Sequence, residues 1–195
     1  MGQASSEGEK PMRIVAGSRK GRSLKAVPNR STRPTSDKVK EAVFSRIGPY
    51  FTGGTVLDLF AGTGAMGMEA LSRGMDKAIF VDIDKQAIRV IRENLQRSDL
   101  IQMAEVYQND AHRALNILGR RGIQFDLVIL DPPYQMTTMD EVVERMQQLS
   151  LFNPGADIVI EHHASVDYAD QIGEAVKRRC LKFGDTKVSF YEYDI

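Results

Sequence analysis

The chain has 195 residues, with 26 Lys and Arg against 26 Asp and Glu and a formal net charge of zero. That length holds one domain with a buried core and at most a small appendage, and no apolar run reaches the roughly 18 residues that a membrane-spanning helix needs. A single cysteine, Cys180, excludes an internal disulfide framework and a zinc cluster, and the polar start MGQASSEGEK lacks the apolar stretch of a secretory signal, so the expected location is the cytoplasm.

Residues 1–11 show no periodicity and read as a disordered leader. From Met12 the chain becomes basic. Between Lys10 and Arg46 eleven Lys and Arg face only Asp37 and Glu41, a surplus of nine that the rest of the chain must offset. Such asymmetry suits a polyanion-binding arm joined to an acidic body, although a solvated charged face would look the same. Within this arm MRIVAG and Leu24–Val27 read as short strands of a basic hairpin. Pro34 separates them from a helix at about 36–47 with Val39, Val43, Phe44 and Ile47 on one side.

After Gly53-Gly54 the chain alternates. TVLDLF (55–60) reads as a buried strand and AMGMEALSRG (65–74) as a helix closed by glycine. KAIFVD (77–82) is a second strand, followed by a helix over 85–97 with Ile88, Ile91 and Leu95 aligned. A third strand is expected at 104–110, a short helix at 111–118 and a fourth, very apolar strand at 125–130. Met139, Val142, Val143, Met146 and Leu149 fit a helical stripe. A fifth strand at 156–161 precedes two tail strands around a Gly-Asp turn, one of them holding Cys180. Strands alternating with helices predict a mostly parallel sheet of the doubly wound, Rossmann-like α/β class, with an antiparallel pair at its edge. The organisation expected is a leader (1–11), a basic hairpin-and-helix extension (12–50) and an α/β domain (51–195).

Four segments carry chemistry. In Asp58-Leu59-Phe60-Ala61-Gly62-Thr63-Gly64-Ala65-Met66-Gly67 a strand enters a glycine-rich turn that opens a helix, which lets the backbone approach a ligand. The spacing also matches a dinucleotide loop, but Asp58 at the strand end and Phe60 before the turn are features of an S-adenosylmethionine (SAM) site. Asp82, closing the next strand, suits a ribose hydroxyl pair and argues against a 2′-phosphate. Asp84 is better explained as a helix N-cap. Asp110 can accept from an adenine amino group or cap the following helix, and one residue could serve both.

The fourth segment is Asp131-Pro132-Pro133-Tyr134, directly after the most apolar strand. Two prolines fix the backbone and remove two N–H donors. The turn then offers a carboxylate and carbonyls as acceptors, with an aromatic ring beside them. That arrangement suits an amino group on a flat ring, with Tyr134 stacking on a base taken out of its helix. His162-His163 are tempting as a base pair of ligands, but adjacent strand residues point to opposite faces, so structural or solvent roles are expected.

Together with MRIVAGSRKGRSLKAVP, the run from Arg33 to Phe44 (RPTSDKVKEAVF) and LDLFAGTGAMGMEALSRG, these motifs resemble the bacterial 16S ribosomal RNA guanine-N2 methyltransferase family, over Met12 to nearly the C-terminus. The resemblance implies a methyltransferase fold, SAM as methyl donor without a metal, and small-subunit ribosomal RNA, free or in an assembling subunit, as the partner of a monomeric enzyme. It implies that Asp58, Phe60, Gly62 and Gly64 contact the methionine part of SAM, Asp82 the ribose and Asp110 the adenine. Asp131 and Pro132 would grip the guanine amino group, with Pro133 and Tyr134 against the base. Arg33 and Thr35 would lie near the substrate entrance, and Lys20 and Arg22 would contact RNA. Three rivals stay open at this point: an adenine-N6 methyltransferase with the same turn, a non-catalytic RNA-binding module of the same fold, and a methyltransferase for small or protein amines.

Overall fold

A computed structural model describes residues 12–30 and 35–195. The expected leader and Arg33 lie outside the described residues. Helix α1 (Asp37–Ile47) begins where the Ser36 side chain accepts the Val39 N–H, the usual way of satisfying an orphan amide at a helix start. The α/β body follows as β1 (Thr55–Asp58), α2 (Ala65–Ser72), β2 (Lys77–Asp82), α3 (Lys85–Arg97), a short 3₁₀ turn, β3 (Ala104–Gln108), α4 (Ala111–Arg120), β4 (Phe125–Leu130), α5 (Met139–Gln148) and β5 (Phe152–His163). The tail adds β6 (Gln171–Ile172), β7 (Ala175–Phe183) and β8 (Thr186–Tyr193).

These strands form one eight-stranded sheet in the order β3-β2-β1-β4-β5-β8-β7-β6. The first five are parallel and the last three pair antiparallel. The chain winds outward from β1 to β3, then returns to lay β4 on the other side of β1. The carboxyl ends of β1 and β4 therefore flank the topological switch, where open α/β sheets bind ligands.

Strand alternation sends side chains to two separate cores. Val56, Phe80, Leu127, Ile129, Val159, Val188 and Phe190 pack with α1, α2, α3 and with Ile14 and Leu24 of the basic extension. Leu57, Ile79, Val81, Val128, Leu130, Ile158 and Ile160 pack instead against α4 and α5. The extension is thus joined to the first core by Ile14, Val43 and Phe44, all essentially fully buried.

The expected hairpin in that extension is much reduced. Arg13 and Ser23 form an isolated antiparallel bridge. The Val15 and Ala16 N–H groups donate to the carboxylate of Glu69 on α2 at 2.9 and 3.1 Å, where a strand partner would otherwise accept them. Among the described residues, no helix is long and apolar enough to cross a membrane.

Candidate active site

The face of the sheet that carries Val56, Ile129 and Val159 ends, two residues on, in three carboxylates. Asp58 closes β1, Asp131 follows β4, and Glu161 lies near the end of β5. Parallel pairing fixes their alignment: Asp58 is level with Ile129 and Leu130 with Ile160, so Asp131 and Glu161 occupy neighbouring positions on adjacent strands. The sequence singled out Asp58 and Asp131 but missed Glu161. Its signal is visible only in the alternation of the apolar run Ile158-Val159-Ile160, which puts residue 161 on the face of Val159.

Burial dominates the electrostatics here. The carboxyl of Asp58, 2% exposed, is raised to about 7 by desolvation, with the Asp82 charge adding to the rise and the Gly67 N–H opposing it. Asp131 is raised well above the usual carboxylate range by burial, then by Glu161 and Asp58. Glu161 is raised by burial, while a hydrogen bond from the Thr35 hydroxyl favours its ionised form. Desolvation penalises the charged forms, and like charges side by side deepen the penalty. Thr35, just before α1, is therefore brought to the Asp131–Glu161 pair from the far side of the chain.

The glycine loop joins β1 to α2. Gly64 has φ +80° at the N-cap of α2, and a Cβ at Gly67 would come within 2.4 Å of the Phe80 ring, so close helix–strand contact needs glycine there. The Gly67 N–H donates to Asp58 Oδ2 at 3.0 Å. Among the described residues, a Cβ at Gly62 would meet within 4 Å only the Arg30 guanidinium, at 3.3 Å. Phe60 is partly buried against the second core.

Asp82 holds the loop from the next strand. Its Oδ2 accepts the Gly62 N–H at 2.9 Å and its Oδ1 the Asp84 N–H at 2.9 Å. Arg30 then reaches both oxygens, with Nη2 at 2.9 Å from Oδ1 and Nη1 at 3.4 Å from Oδ2, and its Nε lies 3.5 Å from Asp84. Sequence reasoning gave Arg30 no role. Asp84 caps α3 through the Gln86 N–H, and Asp110 caps α4 through the Arg113 N–H at 3.2 Å.

At the other side of the crevice, Pro132-Pro133 turn the chain so that the Met136 N–H returns to the Pro133 carbonyl at 2.9 Å. Tyr134 is 55% exposed. Its ring stands edge-on to His163 at 5.9 Å, and its hydroxyl lies 3.5 Å from Thr186 Oγ1. His162 points the other way and is buried, bonded to Ser189 at 2.8 Å and edge-on to Tyr168, and Cys180 lies on β7.

Lys20 and Arg22 are not brought to this crevice. Arg22 donates to the Arg97 carbonyl and neighbouring Arg19 to those of Ser98 and Asp99, all at the C-terminal end of α3. That end of the helix also touches the glycine loop, since Asn94, three residues before Arg97, donates to the Thr63 carbonyl at 3.1 Å.

Comparison with known proteins bears on this arrangement. Residues 12–192 match the family described as conserved hypothetical protein 95. YlbH of Bacillus subtilis is 45% identical over 181 residues, spanning 93% of this chain and 98% of that protein. The ribosomal RNA small subunit methyltransferase D of Haemophilus influenzae is 35% identical over 153 residues, 77% of this chain and 78% of that one. The solved structure of YhhF from Escherichia coli superposes with a TM-score of 0.79 at 26% identity, covering 95% and 99% of the two chains. An RNA methyltransferase from Salinibacter ruber, solved with S-adenosyl-L-homocysteine, shares the fold at 16% identity and a TM-score of 0.62, over 83% and 94%.

Proposed function

The chain belongs to the family of conserved hypothetical protein 95, and from that premise, with its likeness to a ribosomal RNA small subunit methyltransferase D, we propose that it transfers a methyl group from SAM to the exocyclic N2 of a guanine in small-subunit ribosomal RNA. The observation that supports this most is the Asp131 turn: a half-buried carboxylate, backed by two prolines without N–H donors, beside a glycine loop at the topological switch of the sheet.

The residues present fit SAM. Among the described residues, only the Arg30 guanidinium would stand against a Cβ at Gly62, and Asp82 can exchange that guanidinium for ribose hydroxyls. Asp58 would face the methionine part with Phe60, Gly62 and Gly64, and Asp110 would reach the adenine while still capping α4. When bound, SAM supplies a methyl group on a positively charged sulfur.

The protein's own work is positioning and electrostatics. Asp131 and the Pro132 carbonyl accept the two N2 hydrogens. This turns the nitrogen lone pair out of conjugation with the ring and toward the methyl carbon. As the N–C bond forms, the C–S pair returns to sulfur and N2 must lose a proton. Asp131 can hold that proton, because burial raises its carboxyl well above the ordinary range. Tyr134, exposed at the mouth, stacks on the base, and Pro133 lines the turn. Thr35 sits in the segment entering α1, and the basic residues along α3 bind phosphates.

The test is transfer of radiolabelled methyl from SAM to 16S ribosomal RNA in protein-depleted and partly assembled subunits, followed by digestion to nucleosides. Label in N2-methylguanosine, falling at least a hundredfold with Asp131→Ala, is the expected result. Label in N6-methyladenosine, or SAM binding without transfer to any RNA, would overturn it.

A further inference from the structure

Glu161 has no counterpart in the motifs, yet it stands beside the turn that would hold the amino group. Adjacent parallel strands run about 4.8 Å apart, and the Leu130–Ile160 register puts Asp131 and Glu161 next to each other on one face. Among the described residues, no donor is hydrogen-bonded to the Asp131 carboxylate, and the Thr35 hydroxyl is near enough to Glu161 to favour its ionised form. A carboxylate has about four lone-pair sites. The crevice therefore offers two half-used acceptors side by side and, from the prolines of the turn, no backbone donor.

Such a surface makes a specific demand on the ring that enters it. Guanine presents two neighbouring donors, N1–H and the N2 amino group. Adenine presents its amino group beside the bare N1 acceptor, and cytosine its amino group beside the bare N3. Set against the pair, a bare ring nitrogen would direct its lone pair at a carboxylate and leave it buried without a donor. Sites built to bond a group reject analogues that lack it far more strongly than apolar pockets do.

We propose that Glu161 accepts the N1–H of the guanine whose N2 amino group lies on Asp131, and that this second acceptor selects guanine over adenine and cytosine. The assignment rests on the guanine-N2 reading above and names the residue that gives it. Thr35 is then a positioning residue: its bond orients the Glu161 carboxylate from the entrance side.

2-Aminopurine tests this directly, since it keeps the exocyclic amino group but has a bare N1. The full-length protein is assayed on small-subunit RNA carrying guanine or 2-aminopurine at the methylated position, with SAM binding measured alongside by calorimetry. The wild type is expected to favour guanine at least tenfold in kcat/KM. Glu161→Gln, whose carboxamide can donate to a bare N1, is expected to bring the ratio within about threefold while SAM affinity is unchanged. Intrinsic reactivity of the two bases cancels between the proteins. Glu161→Asp, which keeps the acceptor at shorter reach, should lower the rate but retain the preference. A ratio near one in the wild type, or one unchanged by Glu161→Gln, overturns the proposal while leaving the methyl transfer intact. Absence of N2-methylguanosine with the guanine RNA would instead sink the underlying reading.

Discussion

At the scale of single residues, the site is built from charges held against their preference. Asp58 shows the sign clearly. Its carboxyl titrates near 7 in the folded chain, against about 4 when unfolded. Across that window the folded state holds more protons, so stability falls as pH rises from about 4 to 7 and the whole penalty is present above 7. Asp58→Asn keeps an acceptor for the Gly67 N–H and removes the charge. Its stability is expected to exceed the wild type at pH 8, by up to a few kcal/mol, and to match it at about pH 3, below both pKa values. Equal gaps at both pH values would refute the assignment. The same titration governs binding if Asp58 faces a cationic ammonium: SAM affinity should fall toward tenfold per pH unit below 7 and lose that slope in Asp58→Asn. Arg30 makes a complementary case. Because it occupies both oxygens of Asp82, ribose must displace it, and a pair exposed only on its Arg30 side, 32% against 5% for Asp82, is worth on the order of 1 kcal/mol. Arg30→Ala should therefore tighten SAM binding by up to about fivefold in calorimetry. Weaker binding would mean that Arg30 contacts the bound donor instead.

At the scale of elements, the parallel sheet was legible because its strands and helices follow separate periods. β2, α3 and β4 run over the residues the periodicity marked, and Asp84 caps α3 as its position before the helix suggested. Elements were obscured where side chains replace backbone pairing or where the sequence carries turn residues inside a strand. β5 was expected to start at 156, because Asn153-Pro154-Gly155 reads as a break; the structure begins it at Phe152 and absorbs those residues where its register with β4 shifts. β7 was expected only from Cys180 and begins at Ala175; its first half carries charges near a sheet edge, where Arg178 pairs with Glu192 and Asp194 of the tail. In the site, Asp58, Asp82 and Asp131 were legible from their place at strand ends. Glu161, Arg30 and the docking of Arg22 on the end of α3 were not, since each depends on which strands or segments lie side by side. The reduced hairpin makes its own prediction. Buried Glu69 accepts from Val15, Ala16 and Arg73, so Glu69→Ala leaves a buried guanidinium and two amides without their acceptor. That should cost roughly 3–5 kcal/mol and lower the melting temperature by roughly 10 °C, with new proteolytic cleavage in residues 12–30. An unchanged melting temperature would show that the extension is not fixed through α2.

At the scale of the whole molecule, the basic extension connects two ends of the sheet. It starts beside α2, crosses to the C-terminal end of α3 at Arg19 and Arg22, and follows that helix through Lys25, which lies by Glu93 and Asn94, and Val27, packed on Ala87 and Val90. It finishes with Arg30 on the cofactor loop. Its cations thus follow α3, and of those with described contacts Arg30 is the one bonded to Asp82. Phosphate contacts of this kind fix position and carry no base information, whereas the proposal assigns selection of the base to Asp131 and Glu161. The two functions should separate by experiment. Replacing Lys20, Arg22 and Lys25 together with Ala removes up to three phosphate contacts, while the Lys25 backbone keeps its bonds to Asn94. RNA affinity should fall at low salt, and the slope of log K against log salt should drop by about 2–3, at roughly 0.7–0.9 per phosphate. SAM affinity should stay as it was, and so should the guanine to 2-aminopurine ratio at saturating RNA. A variant whose RNA affinity and salt slope equal those of the wild type would place the RNA on another face. One whose base preference changed would mean that the segment along α3 sets the geometry of the crevice as well as the docking of its substrate.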